Sequence, residues 1–128
     1  MFFVSVFLIF FMLYYIKLYL RDWWINISLV LGILLQLLIW AYLIMNIDSD
    51  LDRVFLHYNI IFGVDLVGEW WKIYYLPITG LVILLINNIV SYLIYKTDKF
   101  LSRLLNFWVV FIHVFLLIAV WLLVRLNV

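Results

Sequence analysis

The stretch YYLPITGLVILLINNIVSYLIY, residues 74–95, decides what kind of protein this is. It contains no Lys, Arg, Asp or Glu. Its length is close to the ~20 residues a helix needs to cross ~30 Å of hydrocarbon. A spanning segment must be helical, because lipid offers no partner for an open backbone. Pro77 falls in the first turn, where its missing N–H is an orphan in any case. Tyr74 and Tyr75 open the stretch, and Tyr92 and Tyr95 close it, at the places of an interfacial aromatic belt.

The rest of the chain agrees. Of 128 residues, 71% are hydrophobic and 12% charged, and mean hydropathy is +1.28. Soluble domains run at roughly 45–50% apolar and about 25% charged. A chain of this size could not hide so much apolar surface from water. Three further apolar blocks cover about 2–20, 24–46 and 104–126. The sequence thus predicts an all-α integral membrane protein of four helices, 2–20, 24–46, 74–95 and 104–126. It forms one domain over 1–128, with a structured loop at 47–73. The first block has no basic residue before it and no small-residue cleavage site after it, so it is expected to be a retained span. A net charge of +1 gives no reason to expect nucleic acid. The absence of Cys removes disulfides and thiolate metal sites.

The connections 17–24 and 96–103 are short, and 47–73 is long. Lys17, Arg21, Lys96, Lys99 and Arg103 share one side; Arg53, Lys72 and Arg125 share the other. That bias puts both termini and the 47–73 loop on the outer side.

Polar residues inside spans turn toward other helices. Ser28, Gly32 and Gln36 are spaced four apart and form one stripe. Gly80, Asn87, Asn88 and Ser91 fall within about a quarter of the circumference at ~100° per residue. Asn106 and His113 are seven apart and nearly superposed. The first span offers only Ser5 and is expected to be peripheral. The stripes predict interhelical packing; the competing reading is a polar path. No span interior holds an Asp or Glu, so His113 has no ionisable relay partner there.

The 47–73 loop carries Asp48, Asp50 and Asp52, but an EF-hand requires Gly at its sixth position and Glu at its twelfth. Arg53 and Asn59 stand there, so no metal is expected. There is no phosphate-binding Gly loop and no nucleophile elbow. The chain is expected to be a non-enzyme with no cofactor. Gly63 and Gly68 permit turns that other residues resist. Val67 to Tyr75, with Trp70, Trp71, Tyr74 and Tyr75, is expected to lie along the interface.

His57, Asn59, Gly63, Asp65, Gly68, Lys72 and Pro77 follow one another in a recognisable order. Over about residues 30–95 this resembles a small bacterial membrane domain found in the family of immunity proteins against the sporulation-delaying toxin. Two prolines of that pattern, ahead of the histidine, are absent here, and Phe55 occupies the second position. The resemblance implies a bacterial inner-membrane protein whose outer loop has a specific conformation. Together with the residues, it makes a binding or immunity/sensor-like role the leading expectation. His57, Asn59, Asp65, Glu69, Trp70 and Trp71 would form the recognition surface. The expected surroundings are the lipid bilayer and a homo-oligomer or larger membrane complex. The alternative is a transporter or channel component, with Gln36, Asn87, Asn88, Asn106 and His113 along a path.

Overall fold

The computed structural model describes residues 2–48, 53–61 and 63–127; at 2–10, 58, 59, 64 and 65 the description is of the backbone. Expectations for Asp50 and Asp52, and for the side chains of Ser5, Asn59 and Asp65, lie outside it. In chain order the elements are α1 (Phe2–Leu20), α2 (Trp23–Asn46), β1 (Val54–Asn59), β2 (Gly63–Gly68), a 3-10 turn (Trp70–Tyr74), α3 (Tyr75–Ile94) and α4 (Lys99–Asn127). Three helical stretches among the described residues are long and apolar enough to cross a membrane: Trp23–Asn46, Trp70–Ile94 and Lys99–Asn127.

α2, α3 and α4 form the core. Buried residues on α2 are Ile25, Ser28, Gly32, Gln36, Ile39 and Leu43; on α4 they include Ser102, Asn106, Val109, His113, Val120 and Val124. Their spacing of three, four and seven is that of a packed helix seam. One end of this bundle closes with an apolar cluster of Ile39, Leu43, Ile47, Ile73, Val120 and Val124. Tyr19, Ile25 and Tyr95 form a second cluster at the other end. Of the described side chains on α1, only Tyr19 is buried. α1 is therefore fastened to the bundle by its last turns.

Two features depart from the all-α expectation with its 104–126 helix. First, α4 begins at Lys99, because the Asp98 carboxylate accepts from the Leu101 amide at 2.9 Å and the Asp98 carbonyl accepts from Ser102 N–H at 3.1 Å. Hydropathy stops at Arg103, but a helix start is set by its cap. Second, the middle segment contains an antiparallel hairpin. It pairs Val54 with Gly68 and Asn59 with Gly63, and its register is irregular on both sides of His57. Val, Phe and Tyr suit a pleated strand. Gly63, at φ 76°, supplies the left-handed residue that leads into β2. The expected interfacial lead-in is a 3-10 turn, over which Trp40 stacks on Tyr74 with ring centres 5.9 Å apart.

Candidate functional site

The polar residues of the bundle collect in two layers. The first lies at the end where α1 turns into α2. Asp22 caps α2, its carboxylate accepting from the Trp24 amide at 3.2 Å. Arg103, on α4, grips the same carboxylate with Nε at 3.0 Å and Nη2 at 2.8 Å from Oδ2. The Tyr95 hydroxyl donates to it at 3.2 Å. Burial alone raises the Asp22 pKa. The hydrogen bond and positive charge of Arg103, the Tyr95 hydroxyl and the Ile25 amide outweigh it and leave the carboxyl below its ordinary 3.8. Burial, then the charge and hydrogen bond of Asp22, raise the Tyr95 phenol, which stays protonated as the donor.

The sign of the pH dependence follows. A depressed folded pKa gives stability that is complete above the unfolded value, about 3.9, and is lost as pH falls through the folded value. Thermal unfolding in detergent is expected to show a loss below about pH 4 that Asp22→Asn diminishes. An undiminished acid loss in Asp22→Asn would show that this carboxylate does not carry it.

Just inside this layer, Ser91 and Ser102 bond across α3 and α4. Their hydroxyl oxygens lie 2.7 Å apart; Ser91 Oγ donates to the Ser102 carbonyl at 3.0 Å, and Ser102 Oγ to the Ser91 carbonyl at 2.9 Å. The Asn106 amide donates to the Tyr19 hydroxyl at 3.0 Å and also to Ser91 Oγ. Tyr19 in turn donates to Ser91 Oγ at 3.0 Å. α1, expected to be peripheral, is thus tied into the core through Tyr19. Asn87 also crosses between helices, donating to the Leu105 carbonyl at 2.9 Å.

The second layer is nearer the middle of the bundle. Gln36 Nε2 donates to the Pro77 carbonyl at 2.7 Å, an atom that can only accept. The Gln36 oxygen then lies 3.1 Å from His113 Nε2. His113 Nδ1 lies 2.9 Å from the Val109 carbonyl. Gly80 makes room for this arrangement: a Cβ there would lie 2.9 Å from Gln36 Oε1 and 2.7 Å from Leu116 Cδ2.

The other expected residues are more dispersed. Ser28 and Gly32 are buried on the α2 seam, and a Cβ at Gly32 would find Leu84 at 3.4 Å. Asn88 donates to its own helix at the Leu84 carbonyl, 2.8 Å, and its buried Oδ1 has no partner among the described residues. His57 is exposed on β1, opposite Leu66. Glu69 and Trp71 are exposed, and Trp70 is half-buried, just beyond β2. Gly68 packs against Leu56, whose Cδ1 would lie 2.5 Å from an added Cβ. No group of three or more metal-ligating side chains occurs among the described residues.

Sequence reasoning missed Tyr19, Asp22, Tyr95, Ser102 and Arg103. One signal was present: Ser102 lies four before Asn106 and continues the α4 stripe. Tyr95 read instead as an interface aromatic, which it resembles by position.

Length and composition put the three long helices in the class of helical membrane proteins. Comparison of the chain with protein-family models, curated proteins and solved structures finds no match.

Proposed function

We propose that this is a small four-span protein of a bacterial inner membrane that recognises a partner protein through residues 47–73. α1 is the fourth span; its 19 helical residues have the required length. Both termini and the 47–73 segment face the outer side, in keeping with the excess of Lys and Arg at the opposite end. The role is binding, without catalysis or cofactor, within a homo-oligomer or larger membrane complex.

One observation carries this reading. The hairpin is pinned to the bundle while its turn projects apolar surface. Phe55 N–H donates to Asn127 Oδ1 at 2.7 Å, and Asn127 Nδ2 donates to the Phe55 carbonyl at 2.9 Å. Beyond this clamp, Ile60 is 92% exposed and Ile61 81%. A rigidly held apolar projection is suited to a partner with a complementary pocket, because little ordering entropy is then lost on binding. The transport alternative gains less support, since Gln36 and His113 are occupied by each other and by backbone carbonyls. An immunity-like role, with a peptide toxin as partner, is the specific form of the binding reading. His57, Asn59, Gly63, Asp65, Gly68 and Lys72, which carry the resemblance, belong to the hairpin and its exit.

The chain has no native Cys, so Ile60→Cys can carry a photo-crosslinker as its single label. In native membranes one discrete protein adduct is expected. Adding His57→Ala should reduce its yield about tenfold, the equivalent of ~1.4 kcal/mol of binding, with membrane insertion unchanged. Adducts to lipid alone would overturn the proposal.

A further inference from the structure

Where α1 passes the α3–α4 turn, a cleft of about 250 Å³ is lined by Tyr15, Leu18, Tyr95, Lys96 and Lys99. We propose that this cleft binds the phosphate headgroup of an anionic phospholipid.

Four observations converge on it. First, two cations point at one space. Lys96 Nζ sits 3.3 Å above the Tyr15 ring centre and 5.0 Å from that of Phe11, and Lys99 Nζ lies 5.7 Å from the Tyr95 ring centre. Simple snorkelling would send both amines outward into water. Lys96 instead reaches across to α1.

Second, the local charge is left uncompensated. Of the carboxylates near this end, Asp22 is held by Arg103, and Asp98 caps α4. Among the described residues neither Lys96 nor Lys99 has a carboxylate within ion-pair distance. Lys17 and Arg21 add to the same end without lining the cleft. A bare pair of ammonium groups beside aromatic rings suits a phosphodiester, which takes charge-assisted hydrogen bonds from both.

Third, the depth is right for a headgroup. The cleft lies at the end of α1 and α3, among the tyrosines that mark a membrane interface. Fourth, the surroundings are right for acyl chains. Among the described side chains of α1 only Tyr19 is buried, and Phe11, Met12 and Leu13 are exposed apolar residues. A phospholipid would place its phosphate between the lysines and its chains along this face of α1. A free phosphate ion would use the same cations and gain nothing from the apolar wall.

Native mass spectrometry of the full chain, released from detergent with defined lipids, tests the assignment. The probes are phosphatidylglycerol, phosphatidylcholine and inorganic phosphate. Retention of phosphatidylglycerol over phosphatidylcholine is expected. Lys96→Gln/Lys99→Gln should weaken it about 30-fold, the equivalent of about 1 kcal/mol for each cation. Lys17→Gln/Arg21→Gln removes the same charge outside the cleft and should change retention less than about threefold, because exposed charges are screened. Lys96→Arg/Lys99→Arg keeps the cations and should retain the lipid, which separates a lost site from a lost fold. Equal losses in the two Gln pairs, or no preference for phosphatidylglycerol, would overturn the site. Displacement of the lipid by excess inorganic phosphate would overturn the lipid as its occupant.

Discussion

Replacing Gly80 with valine is expected to lower stability by about 2–6 kcal/mol in a reversible SDS titration from mixed micelles. The reason lies in what surrounds the missing side chain. Even the first added carbon would lie 2.7 Å from Leu116 Cδ2, 2.9 Å from Gln36 Oε1 and 3.5 Å from His113 Nε2. The tip of Leu116 can rotate away. Gln36 cannot move without giving up the Pro77 carbonyl on one side and His113 on the other. Overpacking contributes about 1–3 kcal/mol. Stranding buried hydrogen-bonding groups adds about 1–3 kcal/mol more. Gly32→Ala is the matched control. Its nearest neighbour would be Leu84 at 3.4 Å, an ordinary contact. Alanine's helix propensity, about 1 kcal/mol above glycine, offsets the adjustment. Gly32→Ala should therefore stay within about 1 kcal/mol of wild type. A Gly80→Val protein as stable as wild type would show that the three helices do not meet around this pair.

Asp22→Ala should destabilise by about 3 kcal/mol. The cap of α2 accounts for ~1 kcal/mol. The rest comes from leaving Arg103 and Tyr95 without their acceptor. A fully buried pair loses ~3–5 kcal/mol when one partner is removed. The Arg103 side chain is 43% exposed, so water recovers part of that loss. A cycle of Asp22→Ala, Arg103→Ala and the double variant should give a coupling of about 1–2 kcal/mol. Strict additivity would mean that the two residues, 81 apart in sequence, do not stabilise each other. The consequence reaches beyond one ion pair. Asp22 begins α2, Tyr95 ends α3, and Arg103 lies in the first turns of α4, so this carboxylate fastens three helices at one end.

Hydropathy made the helical stretches legible because it sums over a local window, and each window here is nearly free of charge. The stripe spacing was legible for the same reason: residues four and seven apart share a face whatever the helix packs against. Ser28, Gly32 and Gln36 on α2, and Asn106 and His113 on α4, are buried on the helix seams. The start of α4 was misread because Lys99 and Arg103 depress a hydropathy window without opposing a helix. The hairpin was missed because its strands are six residues each and runs such as Val54-Phe55-Leu56 show little of the alternation that distinguishes strand from helix. Its turn lies within the same composition as its strands. The resemblance pointed to this segment but did not specify its backbone.

By itself, the sequence determined that this chain is a set of long apolar helices with polar stripes and one unusual middle segment. Which polar group meets which is a matter of how the helices pack: Gln36 with His113 and Pro77, Tyr19 with Ser91 and Asn106, Asp22 with Arg103 and Tyr95. Hydrophobicity and helical phase are properties of neighbours along the chain. A hydrogen bond between residues 41 to 87 positions apart depends on how the helices are rotated and staggered against one another. In this bundle that relation is set where Gly80 lets α2, α3 and α4 approach, and no local window contains it.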